Sequence, residues 1–409
     1  MIKDLIKKFQ PYLIYSLVFS IFFIDKIKYK NLSIYEFIFV ILFLFFIKKI
    51  LKLDFKKFLN IENFSLIFLI IIILYKYLYY DNYLYSVLVI IFLIITYFLF
   101  LFLIIDDGLK KKTYFTLRNS FQIIYIISCL MVIVFYFFKS LGFPFDDFWY
   151  TREDIFPYLN YVTIHFKGLY FSYNYQAYIM VPGYFYLLEK IFLRNNKINL
   201  IFFVLISFFI FFIVKAKVFF LIICLTIFYL LNNYIRLNKI FFYLFLLMIF
   251  LSYILISHFI PSKIEMIGSE YKHYFTDAPI FIIDNILIYG SLFYKIKSLI
   301  IQDIGFLNLI PHDRDFYITY DKDPHSVYFL LLYNYGILSL ICFLLFLLSI
   351  IKKFNLLFFK SSFKFLLIDY AIFMLFLIEG FNQDINSYRF FWINTSMLVG
   401  VLYVHTRQK

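Results

Sequence analysis

The sequence lacks the short motifs of several classes of enzyme and transporter. It contains no HExxH motif, no CxxC pair, no P-loop and no GxGxxG, so zinc hydrolases and nucleotide-driven pumps would lack residues that their chemistry requires. Cysteine is also scarce, with three in the whole chain: Cys129, Cys224 and Cys342. All three lie in predicted apolar spans, where cysteine usually packs as a small hydrophobic residue. We therefore expect neither a disulfide nor a cysteine-bound metal.

A soluble domain of ordinary size is missing as well. Hydrophobic residues make up 64% of the 409 residues, aromatic residues make up 25%, and the mean hydropathy is +0.87. Apolar runs near the length of about 20 residues that crosses a bilayer recur along the whole chain. This composition predicts an all-α, polytopic membrane protein. The formal charge of +14 then indicates cytoplasmic loops that contact anionic membrane lipids, and no nucleic acid.

The apolar runs predict about twelve transmembrane helices. The first run is short, and Pro182 and Gly183 interrupt the sixth. The predicted centres lie near Phe19, Phe39, Ile72, Leu93, Ile127, Gly183, Phe208, Ile223, Leu247, Leu338, Phe373 and Met397.

Lysine and arginine in the short loops predict the orientation of these spans. A cytoplasmic N-terminus places five basic loops inside, in agreement with the positive-inside rule. They are residues 48–57, 106–118, 194–199, 232–239 and 352–364. The loop at residues 25–31 has three lysines and opposes this orientation. We nevertheless expect both termini to be cytoplasmic, because the other short loops agree.

Two longer external segments remain, at about residues 139–174 and about 258–324. The second lies between the ninth and tenth spans, and such a length is typical of functional or disordered connections. We interpret it as an ordered lid over a membrane cavity, with a poorly ordered loop as the alternative. The chain then divides into N-terminal helices (1–138), central helices with the first external loop (139–260), the large loop (261–324) and C-terminal helices (325–409).

A histidine stands where the large loop meets the tenth span. Asp323 and Pro324 suit the start of a helix, since Asp caps and Pro is favoured at the first position. His325 then lies in the first turn, where the positive end of the helix dipole favours the neutral imidazole that accepts a proton. Asn334 and Gly336 follow inside the span, and a small residue there permits close helix approach. An ordinary interfacial histidine is the alternative interpretation.

Three segments resemble the O-antigen ligase and polymerase superfamily. PHSVYFLLLYNYGILSL (324–340) is similar to its H-(N/S)-x-x-L…G-(I/L)-x-(G/S)-L signature, and HFKGLYFSYNYQAYIM (165–180), with Gly168 and Asn174, to its R-x-x-G…N-x-x-A element. Residues 205–223 resemble the turn that carries S-R-G. The span count and the loop before the tenth span fit the same layout. The resemblance covers about residues 161–404.

The resemblance implies a glycosyltransferase of the bacterial inner membrane with its active site facing the periplasm. His325 would be the general base on an acceptor sugar hydroxyl. Lys215 and Lys217 stand where an arginine is expected to bind the diphosphate of an undecaprenyl diphosphate-linked glycan, but the serine and glycine of that turn are absent. A second loop cation has three candidates, Lys295, Lys297 and Arg314. The family is expected to need neither a metal nor a cofactor.

Two further polar features leave alternatives open. Arg389 begins the last span and either faces the cavity, as a further candidate to bind the diphosphate, or anchors the helix at the interface. The acidic cluster Asp146, Asp147, Glu153 and Asp154 is either a metal site or, as we favour, a solvated external loop.

The sequence supports three classes of function. The leading hypothesis is an O-antigen ligase that joins the polysaccharide to lipid A core oligosaccharide, with a polymerase that extends another glycan acceptor as the alternative. A flippase or exporter of lipid-linked glycans predicts duplicated spans and charged residues deep within them. We find neither clearly in the sequence. No motif excludes a non-catalytic membrane scaffold.

Overall fold

A computed structural model shows a helical protein with two small β-hairpins. It describes residues 2–21, 28–29, 32–50, 60–79, 84–105, 110–141, 149–156, 159–166, 173–194, 196–214, 218–235, 237–259, 327–361, 366–380 and 389–406. The helices in these ranges are α1 Ile2–Ser20, α2 Ile34–Ile50, α3 Ile61–Tyr79, α4 Leu84–Ile105, α5 Lys110–Ser140, α6 Tyr173–Leu193, α7 Lys197–Val214, α8 Val218–Ile235, α9 Lys239–Phe259, α10 Val327–Ser361, α11 Leu366–Glu379 and α12 Arg389–Thr406.

Each predicted span centre lies in a different one of these twelve helices, so the predicted helices are confirmed. Within the ranges described above, four segments are both long and apolar enough to cross a membrane: Ile61–Leu78, Lys112–Phe138, Val218–Ile235 and Tyr335–Phe359. Shorter apolar segments occur in α2, α4, α7 and α9. Many large hydrophobic side chains on these helices are exposed, including Phe37, Phe202 and Met248, as expected of surfaces that contact lipid.

Two antiparallel hairpins add strands that the sequence analysis did not predict. β1 (Lys28–Tyr29) pairs with β2 (Leu32–Ser33), and β3 (Trp149–Phe156) pairs with β4 (Leu159–Phe166). In the second hairpin Trp149 is opposite Phe166 and Phe156 is opposite Leu159. Aromatic and β-branched residues in both eight-residue strands favour this pairing. Glu153 and Asp154 of the predicted acidic loop therefore belong to β3, while Asp146 and Asp147 lie outside the described residues.

Both consecutive helices and helices distant in sequence pack side by side. α5 packs along α6, α4 along α12, and α3 along α10, while α11 contacts α6, α8, α10 and α12. Every residue of α11 is buried or nearly so, so this 14-residue helix lies inside the helical bundle. One ring pair in this core, Phe354 and Tyr370, is stacked with centroids 3.7 Å apart.

The predicted interruption of the sixth span is wrong, because α6 continues through Pro182 and Gly183. Gly183 instead permits the close contact with α5. A Cβ atom built on Gly183 would lie 2.1 Å from the backbone oxygen of Phe121 and 2.5 Å from Cβ of Tyr125. Small residues commonly allow membrane helices to approach in this way.

Replacing Gly183 by valine should therefore separate α5 from α6 and destabilise the fold. Overpacking of this kind typically costs about 1–3 kcal/mol, and a clash with backbone falls at the upper end. Thermal unfolding of the detergent-solubilised protein measures the loss. Gly183→Ala should show a smaller fall in Tm, and Ala177→Val, at another buried position of α6, controls for added volume. A Gly183→Val protein as stable as wild type would contradict the close contact.

The backbone of α10 is broken at Gly336. This glycine has φ 79° and ψ 175°, a left-handed conformation that other residues rarely adopt. The hydroxyl of buried Ser339 lies 2.7 Å from the carbonyl oxygens of both Leu331 and Gly336. It therefore donates to carbonyls near the break. This conformation is a second reason for glycine at position 336, besides the predicted close approach of helices.

Candidate functional site

Four helices begin at the same end of the bundle, which we call the upper end. The backbone amide of Val327, at the start of α10, donates to the carbonyl of Gly380 after α11, at 3.0 Å. The rings of Tyr175 in α6 and Phe390 in α12 have centroids 5.4 Å apart. An ion pair between Glu36 and Arg389 joins the starts of α2 and α12. The tenth helix, which starts two residues after His325, therefore begins within a cluster of helix ends.

A buried carboxylate, Glu379, is the centre of hydrogen bonding at the upper end. It is only 1% exposed. The hydroxyl of Tyr253 donates to its Oε1 at 2.7 Å, and that of Tyr178 donates to its Oε2 at 2.9 Å. The hydroxyl of Tyr328 donates to the carbonyl of Leu377, two residues earlier in α11, at 2.8 Å. The end of α11 thus binds α6, α9 and α10.

Arg389 is an internal contact of the upper end. Its guanidinium pairs with Glu36 and lies 5.1 Å from the ring centroid of Tyr35, a cation–π distance. Glu36 also accepts from the backbone amide of Ser33 at 2.8 Å. Among the described residues, Nε of Arg389 has no hydrogen-bond partner. Both interpretations of Arg389, an anchor at the interface and a contact with the diphosphate, stay predictions.

A buried lysine lies beside the break in α10. Lys76 of α3 is 1% exposed, and its ammonium lies 5.4 Å from the ring centroid of Tyr335, the residue before Gly336. The sequence analysis did not select Lys76, because one lysine near the end of an apolar run resembles an ordinary interfacial residue.

A second polar network lies at the opposite, lower end. Arg118 of α5 forms an ion pair with Glu189 of α6 and lies 4.5 Å from the ring centroid of Tyr186. Asp369, at the start of α11, is 2% exposed. It accepts from the hydroxyl of Tyr114 at 2.5 Å and from that of Tyr186 at 2.9 Å. Nearby, Lys353 of α10 pairs with Glu62 of α3.

Two ionisable residues lie in a predicted span where the sequence analysis named none, although neither is deep within that span. Asp369 and Glu379 both belong to the eleventh predicted helix, near its two ends. Their neighbours in LLIDYAIFMLFLIEG are so apolar that a window average hides them. The usable signal was the residue type itself, because ionisable residues inside membrane spans are rare and usually functional or paired.

Most residues predicted for the site lie outside the described residues. These are His325, Lys215, Lys217, Lys295, Lys297, Arg314, Asp323 and Gly168. Asn174 belongs to the first turn of α6. Arg389 and Gly336 are described, as given above. The predicted lid, at 261–324, also lies outside the described part of the chain.

Comparison with known proteins found no relative. No protein-family model, no curated protein and no solved structure matches the chain. Within the described residues, no group of three or more His, Cys, Asp or Glu side chains is arranged to hold a metal ion.

Proposed function

We propose that the protein is a multi-pass glycosyltransferase of the bacterial inner membrane. In this proposal all twelve helices cross the membrane, both termini are cytoplasmic, and the upper end faces the periplasm. The donor is a glycan on undecaprenyl diphosphate, and the acceptor is a sugar hydroxyl of lipid A core oligosaccharide. One structural observation supports this proposal best: α10, which starts two residues after His325, begins among buried polar groups, against the residue after Glu379.

The proposed reaction divides its tasks between a base and cations. The acceptor oxygen attacks the anomeric carbon, and the bond from that carbon to the diphosphate breaks with inversion. His325 takes the hydroxyl proton, a task for a neutral imidazole within hydrogen-bonding reach. The diphosphate leaves with the bonding electrons, and fixed cations stabilise its growing charge. Lys215 and Lys217, one of Lys295, Lys297 and Arg314, and Arg389 are the candidate cations.

Within this class we favour the ligase over the polymerase. The chain has one dominant predicted loop, before the span that begins with the histidine motif, whereas two large external loops are typical of polymerases. The segment 139–174 is a modest first loop, and eight-residue strands β3 and β4 occupy much of it.

The glycan profile of a deletion strain tests the proposal. Without a ligase, long polymer should accumulate on the lipid carrier and stay unattached to the core, because polymerisation continues while transfer stops. Without a polymerase, the core should instead carry single repeat units. Gel profiles of lipopolysaccharide and of carrier-linked glycan, with a complemented strain as control, separate these outcomes. An unchanged profile in both fractions would contradict the proposed class.

An exporter of lipid-linked glycans is the second candidate, because two observations favour it. Transporters commonly place ionisable residues within the membrane and use broken helices near their binding sites. Here Lys76, Asp369 and Glu379 are buried in helices, and α10 is broken at Gly336. If the deletion strain retains carrier-linked glycan on the cytoplasmic face, the exporter becomes the better hypothesis.

A further inference from the structure

The helices on either side of the long connection, α9 and α10, both form hydrogen bonds to the C-terminal end of α11. Residues 260–326 separate these helices. On one flank, Tyr253 of α9 donates to Glu379 at 2.7 Å. On the other, Val327 and Tyr328 of α10 donate to the carbonyls of Gly380 and Leu377, at 3.0 and 2.8 Å. The last turn of α11 is therefore where both helices are held.

Glu379 is the only one of these acceptors that is a side chain, and it also binds a third helix. Tyr178, which donates to its second oxygen at 2.9 Å, belongs to α6, the helix that follows the other predicted external segment. Because its two oxygens bind tyrosines of different helices, Glu379 fixes the last turn of α11 relative to α6 and α9.

The position of α10 depends on that turn. The amide of Val327 is among the four at a helix start that have no partner within their own helix, and the carbonyl of Gly380 supplies one. If α11 shifts, this bond and the bond from Tyr328 are lost together. The carboxylate thus acts on the start of α10 through the backbone that it anchors.

We propose that Glu379 is a positioning residue that sets the location of the first turn of α10, and through it of the histidine motif. This inference rests on the proposed function for its effect on transfer, but not for its effect on structure. It assigns no proton transfer to Glu379. The proposed role requires a side chain that bonds both tyrosines.

Glutamine and alanine at position 379 separate the effect of hydrogen bonding to the two tyrosines from the effect of negative charge. Glu379→Gln keeps an acceptor for one tyrosine and offers an N–H donor to the hydroxyl oxygen of the other, whereas Glu379→Ala keeps neither. Asp369→Ala is the matched control. Asp369 is also a buried acid of α11 that accepts from a tyrosine of α6, but it lies at the opposite end of the helix from α10's first turn.

Hydrogen exchange of the full chain in nanodiscs measures the structural effect. In Glu379→Ala, peptides covering residues 327–335 should exchange about tenfold faster than in wild type, since a buried hydrogen bond contributes on that scale. Glu379→Gln should match wild type. Asp369→Ala should exchange faster around the start of α11 but not at 327–335. Equal exchange at 327–335 in Glu379→Ala and wild type overturns the proposal, as does equal acceleration there in Asp369→Ala.

The kinetics of glycan transfer provide a second test of this role. Glu379→Ala should lower kcat about tenfold or more with little change in KM, because a displaced group harms the chemical step more than donor binding. Glu379→Gln should restore kcat. If Glu379→Gln is as inactive as Glu379→Ala while its exchange is normal, the carboxylate acts chemically and the positioning role is refuted. If wild type shows no transfer, the proposed function fails, and hydrogen exchange still decides the role of Glu379.

Discussion

Replacing His325 by alanine should reduce glycan transfer about 10²–10⁴-fold, the usual contribution of a general base. Without the imidazole, nothing at this position accepts the proton of the attacking hydroxyl. The protein should still insert and fold, since the helices from α10 onward do not depend on this side chain in the proposal. Carrier-linked polymer should accumulate in cells that express the variant. Attachment is measured by the ratio of polymer-bearing to bare lipid A core.

His312 provides the matched control for this prediction. It is another histidine of the predicted large loop but belongs to none of the motif segments. His312→Ala should therefore transfer glycan at nearly the wild-type rate. Normal attachment by His325→Ala would remove the catalytic assignment. Equal loss in both variants would indicate damage to the loop instead of loss of a base.

The positions of the helices could be predicted from the sequence because each depends on a local pattern. An apolar run such as residues 84–105 has too few polar groups for any environment but lipid or a protein core, whatever lies elsewhere in the chain. Every predicted centre accordingly lies in a helix. The hairpin of β3 and β4 was missed because it follows from pairing within a segment whose acidic residues resemble a solvated loop.

The ionic and hydrogen-bonded contacts could not be predicted in the same way. Glu36 and Arg389 are 353 residues apart, and Tyr114 and Asp369 are 255 apart, so no sequence window contains both partners. The role of Gly183 likewise depends on Phe121 in the neighbouring helix. A glycine, an acid or a lysine in an apolar run shows that some special contact exists, but its partner is set by tertiary packing.

The contacts at the two ends of α11 explain why this helix tolerates two acids. Each carboxylate accepts from two tyrosines, one of them in α6, which meets the requirement that buried polar groups be hydrogen-bonded. The same arrangement separates two roles. Glu379 is tied to the helices that flank the long connection, whereas Asp369 belongs to a network that also contains Arg118. The main effect of replacing Arg118 should therefore be a less stable fold.

Arg118→Met should lower the free energy of unfolding by about 3–5 kcal/mol, the usual cost of removing one partner of a buried ion pair. The substitution leaves Glu189 without its cation in the interior and removes the ring contact with Tyr186. Thermal unfolding in detergent should show a large fall in Tm. Arg194→Met controls for the loss of positive charge, because Arg194 is exposed and its replacement should change stability little.

A double variant decides whether the unpaired carboxylate causes this loss. Arg118→Met combined with Glu189→Met replaces both charges with apolar groups of similar length, and such replacements of a buried ion pair are often neutral or stabilising. We therefore expect the double variant to be more stable than Arg118→Met alone, so that the two substitutions are strongly non-additive. If the double variant is as unstable as the single one, the essential contact of Arg118 is with the tyrosines and Asp369, and Glu189 is only an accessory partner.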